Sequence, residues 1–229
     1  MGARVEELMV QVLRTPGAVE IRDVGIGEEP FLYSSGNWGP GYVSIKGLVS
    51  RGPLIVDLTH ALGERIMAET PPDFVAANVN GGMIPGWVLS QYLKIPYVYV
   101  RETRKAGGQQ EHITGLSSIP QGATGLVVEE LVNFAQTTCN SAEVVRSAGH
   151  EVTHGACILY YGNPEATKAL QEHGLQMVHL FTLPELLDCA EHHETHSRQA
   201  LVSYREYLQD PLGWQAKRGL EPVASGGTR

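Results

Sequence analysis

Residues 74–100 have the sequence FVAANVNGGMIPGWVLSQYLKIPYVYV, and this stretch decides the fold class. It contains a short apolar run (74–79) that meets a Gly-Gly turn, a helical segment from about Pro85 to Leu93, and a β-branched and aromatic run (96–100). Both runs have the composition of buried strands. A strand, a helix and a second strand in this order form a crossover unit with parallel strands. The stretch therefore predicts a parallel α/β sheet.

The same alternation continues towards the C-terminus. After a third apolar strand, GLVVE (125–129), the sequence predicts helices and strands in turn, at residues 137–148, 152–161, 164–173, 175–181 and from Pro184 onwards. Upstream, apolar residues at helical spacing predict helices over residues 4–14 and 54–66. Open parallel sheets bind ligands at the carboxyl ends of their strands, so the functional residues are expected there.

Composition excludes several classes of partner. The chain has 229 residues, of which 42% are hydrophobic, and a formal net charge of −8. An acidic surface disfavours nucleic acid and anionic membranes, and no apolar run is long enough to cross a bilayer. Three widely spaced cysteines favour a reducing compartment. We expect a cytoplasmic protein with one domain over residues 1–210 and a flexible Gly-rich tail over residues 211–229.

A polar loop follows the strand at 96–100. Its sequence, RETRKAGGQQEHITG (101–115), carries Arg101, Arg104 and Lys105 and almost no apolar side chains, so it cannot pack into a core. Two interpretations stay open. The loop is a solvated hairpin, or it is a lid that closes over an anionic substrate and excludes water.

Taken together, these segments resemble orotate phosphoribosyltransferase, a type I phosphoribosyltransferase. Residues 74–115 are similar to that family's strand, pyrophosphate turn, helix, strand and mobile catalytic loop, and GLVVEELV (125–132) stands at its phosphoribosyl-pyrophosphate strand. SSGNWGPGY (34–42) resembles the segment that contacts the base, and FTLPELL (181–187) resembles the closing strand-to-helix step. The resemblance implies a type I phosphoribosyltransferase-like parallel sheet flanked by helices, with a small N-terminal hood over about residues 31–48.

The resemblance also implies a reaction. In that family orotate displaces pyrophosphate from a magnesium-bound sugar diphosphate, through an oxocarbenium-like transition state. It implies magnesium as the cofactor, a phosphorylated or anionic small molecule as the ligand, and a homodimer in which the mobile loop serves the neighbouring subunit.

Two segments correspond to the sugar and the pyrophosphate. Glu129 and Glu130 are the implied contacts of the ribose hydroxyls or of a divalent metal, although two carboxylates at a strand end are also typical of a solvated strand terminus. Asn80, Gly81 and Gly82 are the implied pyrophosphate ligands, because glycines before a helix let backbone amides approach an anion.

Several positions depart from the family pattern near these anions. Met83 stands as an extra residue in the pyrophosphate turn, a position that would displace its amides. In the mobile loop, Arg101 and Lys105 match the catalytic cations, whereas Glu102 stands where the family favours lysine. A reversed charge beside pyrophosphate disfavours catalysis. Gly107 replaces the loop histidine.

The 5′-phosphate segment departs further. Residues 133–138 have the sequence NFAQTT, which contains no glycine and places Phe134 inside the expected nest of amides. Asn133, Thr137 and Thr138 are the donors that remain for weak anion binding.

At the base site, Lys46 matches a basic position. Ser34 stands where the family carries lysine, and Gly162 where it carries the arginine that pairs with orotate's carboxylate. A bidentate guanidinium has no substitute in glycine.

Cys189, His192 and His196 fall on one helix face, at a spacing that could ligate zinc. The sequence offers no evident fourth ligand, so a polar helix end is the favoured interpretation and no bound metal other than magnesium is expected. His150 is expected at the surface, and Cys157 in the core.

Two functions follow. The favoured hypothesis is an orotate phosphoribosyltransferase-like protein that has lost standard catalysis and keeps its fold for a binding, regulatory or structural role. The alternative is an active phosphoribosyltransferase that transfers phosphoribose to orotate or to another base. The departures at the phosphate, pyrophosphate and base positions favour the first hypothesis, because fold alone does not establish activity.

Overall fold

The computed structural model describes residues 2–33, 36–101 and 112–221. In chain order the helices and strands are α1 (Ala3–Arg14), β1 (Val19–Ile21), β2 (Phe31–Leu32), β3 (Trp38–Gly39), β4 (Gly41–Val43), α2 (Gly52–Glu69), β5 (Phe74–Asn78), α3 (Met83–Leu93), β6 (Tyr97–Val100), β7 (Ile113–Thr114), β8 (Thr124–Val132), α4 (Gln136–Ser147), β9 (Glu151–Tyr160), α5 (Pro164–Glu172), β10 (Gln176–Thr182), α6 (Leu183–His192), α7 (Arg198–Gln209) and α8 (Pro211–Ala216).

A six-stranded sheet has the strand order β10-β9-β8-β5-β6-β7. Its neighbouring strands are parallel except β6 and β7, which pair antiparallel. Phe74 of β5 pairs with Gly125 of β8 in parallel register, so the predicted α/β class and parallel sheet are confirmed. Every residue of β5 is buried, as is typical of a central strand with both faces covered.

Helix α3 lies close to the sheet because of a small residue. A Cβ at Gly86 would stand 2.6 Å from the Cβ of Ala77 in β5, too close for two carbon atoms. Glycine therefore lets the helix approach the strand. Trp87 packs edge-on against Tyr97 of β6, with 5.6 Å between ring centroids. The crossover from β5 through α3 to β6 is the unit that residues 74–100 predict.

The chain divides into two compact units. The sheet unit is Val49–Leu183, and the second unit combines Met1–Leu48 with Pro184–Arg229. The second unit holds α1, the short antiparallel pairs β1–β4 and β2–β3, and helices α7 and α8. The hood predicted over residues 31–48 is thus one part of a larger unit, which also draws on the C-terminal helices.

The start of the expected tail is folded. Pro211–Ala216 form α8, in which Trp214 is 2% exposed and Gln215 is fully buried. The side-chain oxygen of Gln215 accepts a hydrogen bond from the backbone N–H of Trp38 over 2.8 Å. The prediction of a flexible tail was wrong for this segment, because its aromatic and amide side chains pack into the second unit. Residues 222–229 of the expected tail lie outside the described residues.

Two side chains of the sheet unit test the predictions about burial. Cys157 is fully buried in β9, as predicted, and burial raises the pKa of its thiol well above the ordinary value, with the Glu129 charge adding to the shift. His150 was expected at the surface but is only 6% exposed. Its ring packs edge-on against Phe74, with centroids 5.3 Å apart, and this aromatic contact accounts for its burial.

Across the part of the chain that the structure describes, no helix combines the length and the apolar composition needed to cross a membrane.

Candidate functional site

Three neighbouring strands bring the candidate residues to one edge of the sheet. Asn78 is the last residue of β5 and pairs with Val100, the last residue of β6, after which Arg101 follows directly. On the other side of β5, Glu129 and Glu130 lie in β8. The carboxyl ends of parallel strands share an edge, so residues from three separate segments meet there.

The Glu129 carboxylate is held by an amide. Asn78 Nδ2 donates a hydrogen bond to Glu129 Oε1 over 2.6 Å, and the two residues are 1% and 9% exposed. Strand β8 continues to Val132, so the acidic pair lies inside the strand and not at its end. This burial argues against a merely solvated strand terminus at Glu129. Within the described residues Asn78 Oδ1 has no hydrogen-bond partner, and a buried orphan oxygen of this kind suits a bound ligand or water.

The glycines of the pyrophosphate turn are required by close approach. A Cβ at Gly81 would overlap the carboxylate of Glu130, and a Cβ at Gly82 would overlap the carbonyl oxygen of Val128. The turn therefore packs directly on β8, with the acidic pair against it. The resemblance implies the anion role of these glycines, but their contact with Glu130 and β8 is visible only in the structure.

Met83, the extra residue of the pyrophosphate turn, lies in helix α3. It is the first residue of α3, and the helix continues with a hydrogen bond from the N–H of Gly86 to the carbonyl oxygen of Gly82 over 2.8 Å. The peptide bond Val79–Asn80 before it is cis. The helix thus starts earlier than the predicted Pro85, and the extra residue extends the helix while the turn stays against β8.

The 5′-phosphate segment keeps a glycine-like turn without glycine. Ala135 has φ 61° and ψ 5°, the left-handed conformation, and α4 begins at the next residue. The N–H of Cys139 bonds the carbonyl oxygen of Ala135 over 2.9 Å, which leaves the amides of the first turn outside the helix ladder. Among the described residues, no side-chain hydrogen bond caps this helix start. The turn therefore has the left-handed residue that glycine favours before a helix, and the Ala135 methyl group is the difference from glycine.

The three predicted donors of this segment, Asn133, Thr137 and Thr138, have different environments in the structure. Asn163 Nδ2 donates to the carbonyl oxygen and to the side-chain Oδ1 of Asn133, over 2.8 and 2.9 Å, so those oxygens serve the β9–α5 turn. Thr138 is 1% exposed, and its methyl group would be 2.9 Å from a Cβ at Gly155 of β9. Its side chain is part of the helix–sheet packing. Thr137 is half-buried in the first turn of α4.

Arg101 is anchored by side chains that the sequence did not single out. Its guanidinium donates to Thr114 Oγ1 over 2.7 Å and to the Tyr99 hydroxyl over 3.1 Å, and lies 4.8 Å from the centre of the Tyr99 ring. Thr114 belongs to β7, the antiparallel edge strand that sequence reasoning missed because it has two residues. Ser34, and Lys105 with its neighbours in 102–111, lie outside the described residues.

Gly162 has a backbone role. Its φ of 68° is the left-handed region, which an arginine adopts only with strain, and the turn leads from β9 into α5. The absence of arginine here is therefore tied to the turn, and does not by itself report on base recognition. Lys46, the predicted base contact, is an exposed residue of a short 3-10 segment (Ile45–Ser50) that begins in the second unit.

Comparison with solved structures identifies the fold. The chain superposes on a UMP synthase from Leishmania donovani with a TM-score of 0.75 and 20% identity, covering 91% of this chain and 42% of that one. It also superposes on orotate phosphoribosyltransferase from Aeropyrum pernix with a TM-score of 0.63 and 25% identity, covering 79% of this chain and 96% of that one. Together with the sheet order, these likenesses show that the chain has the fold of a type I phosphoribosyltransferase.

Sequence comparison shows which phosphoribosyltransferases the chain resembles. The chain is 28% identical to orotate phosphoribosyltransferase from Sinorhizobium medicae over 221 residues, which cover 95% of this chain and 93% of that protein. A protein of the same name from Jannaschia sp. is 28% identical over 197 residues. No family model matches the sequence. The resemblance to orotate phosphoribosyltransferase is thus confirmed along nearly the whole chain.

Proposed function

We propose that this protein is an active, magnesium-dependent phosphoribosyltransferase that transfers phosphoribose to orotate or to a chemically similar base. The observation that carries the proposal is the Asn78–Glu129 hydrogen bond beside the glycine turn. A buried carboxylate held in one orientation at a ligand-binding edge is costly unless it serves a ligand. Relatives of nearly the same length that carry the name orotate phosphoribosyltransferase support the same function.

The acidic pair would hold the sugar. In this proposal Glu129, oriented by Asn78, accepts hydrogen bonds from the two ribose hydroxyls, which are neutral donors suited to a carboxylate. Glu130 lies against Gly81 and is half-buried, so its carboxylate borders the place where the diphosphate would lie.

The diphosphate would lie over the glycine turn. Backbone amides at the start of α3, and the positive end of its dipole, favour an anion there. Arg101, directly after the neighbouring strand β6, and Lys105 would supply positive charge. The carboxylate oxygens of Glu129 and Glu130 and the orphan Asn78 Oδ1 are hard ligands that fit magnesium together with a diphosphate. When bound, magnesium would neutralise charge on the departing pyrophosphate.

The chemistry is a displacement at the anomeric carbon. The bond to the pyrophosphate oxygen breaks, a bond to a ring nitrogen of the base forms, and the base loses its proton. The protein's contribution is positioning and electrostatic stabilisation, because charge builds on the pyrophosphate and on the sugar ring as the bond breaks. The left-handed turn at Ala135 would seat the 5′-phosphate on the amides of α4. Lys46 is the candidate cation for an anionic base.

A second candidate function is a fold that retains ligand binding without standard catalysis. The observations that favour it are Phe134 and the Ala135 methyl group at the phosphate turn, and the reversed charge at Glu102. Each weakens a different anion contact, and charge-assisted bonds of this kind are worth about 1.5–3 kcal/mol each.

One assay separates the two functions. Orotate consumption is followed by absorbance with magnesium and phosphoribosyl pyrophosphate, for the natural protein, Glu129→Gln and Glu151→Gln. Glu151 is the exposed first residue of β9, at the end of that strand away from the site, and serves as the matched control. We expect measurable turnover that falls about 100-fold or more in Glu129→Gln and is unchanged in the control. Binding of the sugar diphosphate by calorimetry without turnover in any of the three proteins would favour the second candidate.

We also propose a homodimer in a cytoplasmic setting, with Arg101 and Lys105 near the subunit boundary. Support comes from the apolar side chains of Ile84 and Trp87, which are 45% and 53% exposed on α3, beside the strand that leads into the loop.

A further inference from the structure

A cluster of three side chains in the second unit has no part in the proposed reaction. Glu6 lies on α1, and His192 and His193 lie at the end of α6. Their carboxylate and imidazole ligand atoms are all within 4.8 Å of one another. His193 Nε2 and Glu6 Oε1 are 3.1 Å apart, and the two imidazole rings meet edge-on with centroids 4.8 Å apart. Two helices that are distant in the sequence thus bring three metal-ligating groups together.

The spacing of these atoms fits a small tetrahedral ion. Zinc binds imidazole nitrogen and carboxylate oxygen at about 2.0–2.2 Å, so two ligand atoms of one zinc ion are about 3.4 Å apart. The 3.1 Å between Glu6 Oε1 and His193 Nε2 is close to this value. The other ligand atoms lie within 4.8 Å, and small side-chain rotations would bring them to the spacing that zinc requires. An ion pair between Glu6 and His193 alone would not require the His192 imidazole to lie within 4.8 Å of both.

The site is accessible to an ion from solvent. The side chains of His193 and Glu6 are 30% and 41% exposed, and His192 is exposed. An open groove of about 320 Å³ borders Glu6 and His193, and both the acidic Glu7 and the basic Arg14 are among the residues that line it. A fourth coordination position is therefore open to water.

We propose that Glu6, His192 and His193 bind one divalent transition metal ion, with zinc as the ion whose ligand preference fits two imidazoles and a carboxylate. This set differs from the Cys189, His192 and His196 set considered from the sequence, because the loop after α6 turns His193 towards α1. It is also distinct from the magnesium of the proposed reaction, since magnesium prefers oxygen ligands. The ion would link α1 to the end of α6.

The test uses calorimetric titration of the metal-free protein with zinc chloride. We expect one zinc ion per chain, with the dissociation constant raised about tenfold or more in His192→Asn and in Glu6→Gln. His192→Asn leaves the Glu6–His193 pair in place, so it separates a metal site from an ion pair. The matched control is His173→Asn, which also removes a histidine paired with a glutamate, Glu143 at 3.4 Å, but without a second histidine beside it in the sequence.

Thermal unfolding gives a second measurement. Zinc stabilises the folded state by binding it, so it should raise the Tm of the natural protein and of His173→Asn but not that of His192→Asn. Millimolar magnesium should leave both results unchanged. The proposal is overturned if zinc shows no saturable binding, or if His192→Asn and Glu6→Gln bind zinc as tightly as the control.

Discussion

At the scale of single residues, the candidate site depends on how closely backbone and side chains approach one another. Gly81 and Gly82 have no room for a Cβ, because the Glu130 carboxylate and the Val128 carbonyl oxygen occupy that space. The two contacts differ in what they allow. A carboxylate at the end of a flexible side chain can move aside, whereas a carbonyl oxygen inside β8 cannot move without disturbing the sheet.

Gly82→Ala should therefore destabilise the protein by about 2–4 kcal/mol, as overpacking against fixed backbone does. The measurement is urea unfolding followed by circular dichroism. Gly52→Ala is the matched control, because a Cβ there has nothing within 4 Å and Gly52 is the first residue of α2. It should be neutral or slightly stabilising. Equal stability of the two variants would contradict the close contact at Val128.

His196 makes the stability depend on pH. Burial lowers the pKa of its imidazole below the ordinary value of 6.5, while a hydrogen bond with the backbone of Val19 acts in the opposite direction. As the pH falls, His196 is therefore protonated at a higher pH in the unfolded chain than in the folded protein. The stabilisation is complete above about pH 6.5 and is lost as the pH falls through the pKa of folded His196.

The corresponding experiment compares the natural protein with His196→Gln in urea unfolding from pH 7.5 to pH 5. We expect the loss of stability on acidification to be smaller in His196→Gln, because the unfavourable protonation is gone. The same dependence in both proteins would mean that His196 does not contribute.

At the scale of elements, the start of α4 decides how well an anion can bind. Its turn has the left-handed backbone that glycine favours, but with alanine at residue 135. Three effects of Ala135→Gly oppose one another: about 1–2 kcal/mol of relieved left-handed strain, about 0.8 kcal/mol for the loss of a buried methyl group, and about 0.5–1 kcal/mol of added chain entropy. These effects nearly cancel, so the substitution should change the free energy of unfolding little.

Ala135→Gly should keep the stability within about 1 kcal/mol of the natural protein and should tighten the binding of inorganic phosphate several-fold, because the anion can come closer to the amides. Calorimetric titration with phosphate measures this. Ala148→Gly, just beyond the other end of the same helix and at φ −86°, is the control and should not change phosphate binding. An unchanged phosphate affinity in Ala135→Gly would remove α4 from the site.

The edge strand β7 shows how an element positions a charge. Its Thr114 accepts the hydrogen bond from Arg101 and so fixes the guanidinium beside β6. The segment that joins the two strands carries Lys105 and Glu102. A short antiparallel edge strand therefore holds Arg101 and Ile113, on either side of the polar loop, at the sheet.

At the scale of the whole molecule, α3 presents apolar side chains to solvent. Ile84 and Trp87 are three residues apart and so lie on one helix face, next to β6. Large apolar side chains that adjoin in this way are typical of an interface between subunits. This agrees with the homodimer that the resemblance implies, in which the loop after Arg101 lies near the boundary.

Ile84→Glu should convert the proposed dimer to a monomer, because it places a charge within an apolar contact. The measurement is light scattering at micromolar concentration. Val202→Glu is the matched control, since Val202 on α7 is also 45% exposed. It should leave the dimer intact. A natural protein that is already monomeric under these conditions would contradict the proposal.

The sequence by itself determined the α/β class, the alternation of strands and helices, and the resemblance to orotate phosphoribosyltransferase. These follow from local patterns: β-branched runs, helical spacing of apolar residues, and glycines before a helix, all of which act over a few neighbouring residues. Strand β8 extends to Val132, beyond its predicted end, because it pairs with Leu159 and Tyr160 of β9. Helix α3 starts at Met83, before the predicted Pro85, because local backbone hydrogen bonds around Gly82 continue the helical turn.

Tertiary structure decided which of the candidate residues meet. The Asn78–Glu129 bond, the contact of Glu130 with Gly81 and the anchoring of Arg101 by Thr114 join residues that are 13 to 51 positions apart in the chain. The cluster of Glu6 with His193 spans 187 positions. Such contacts depend on how strands and helices from distant parts of the chain pack against one another, and short local patterns do not specify that packing.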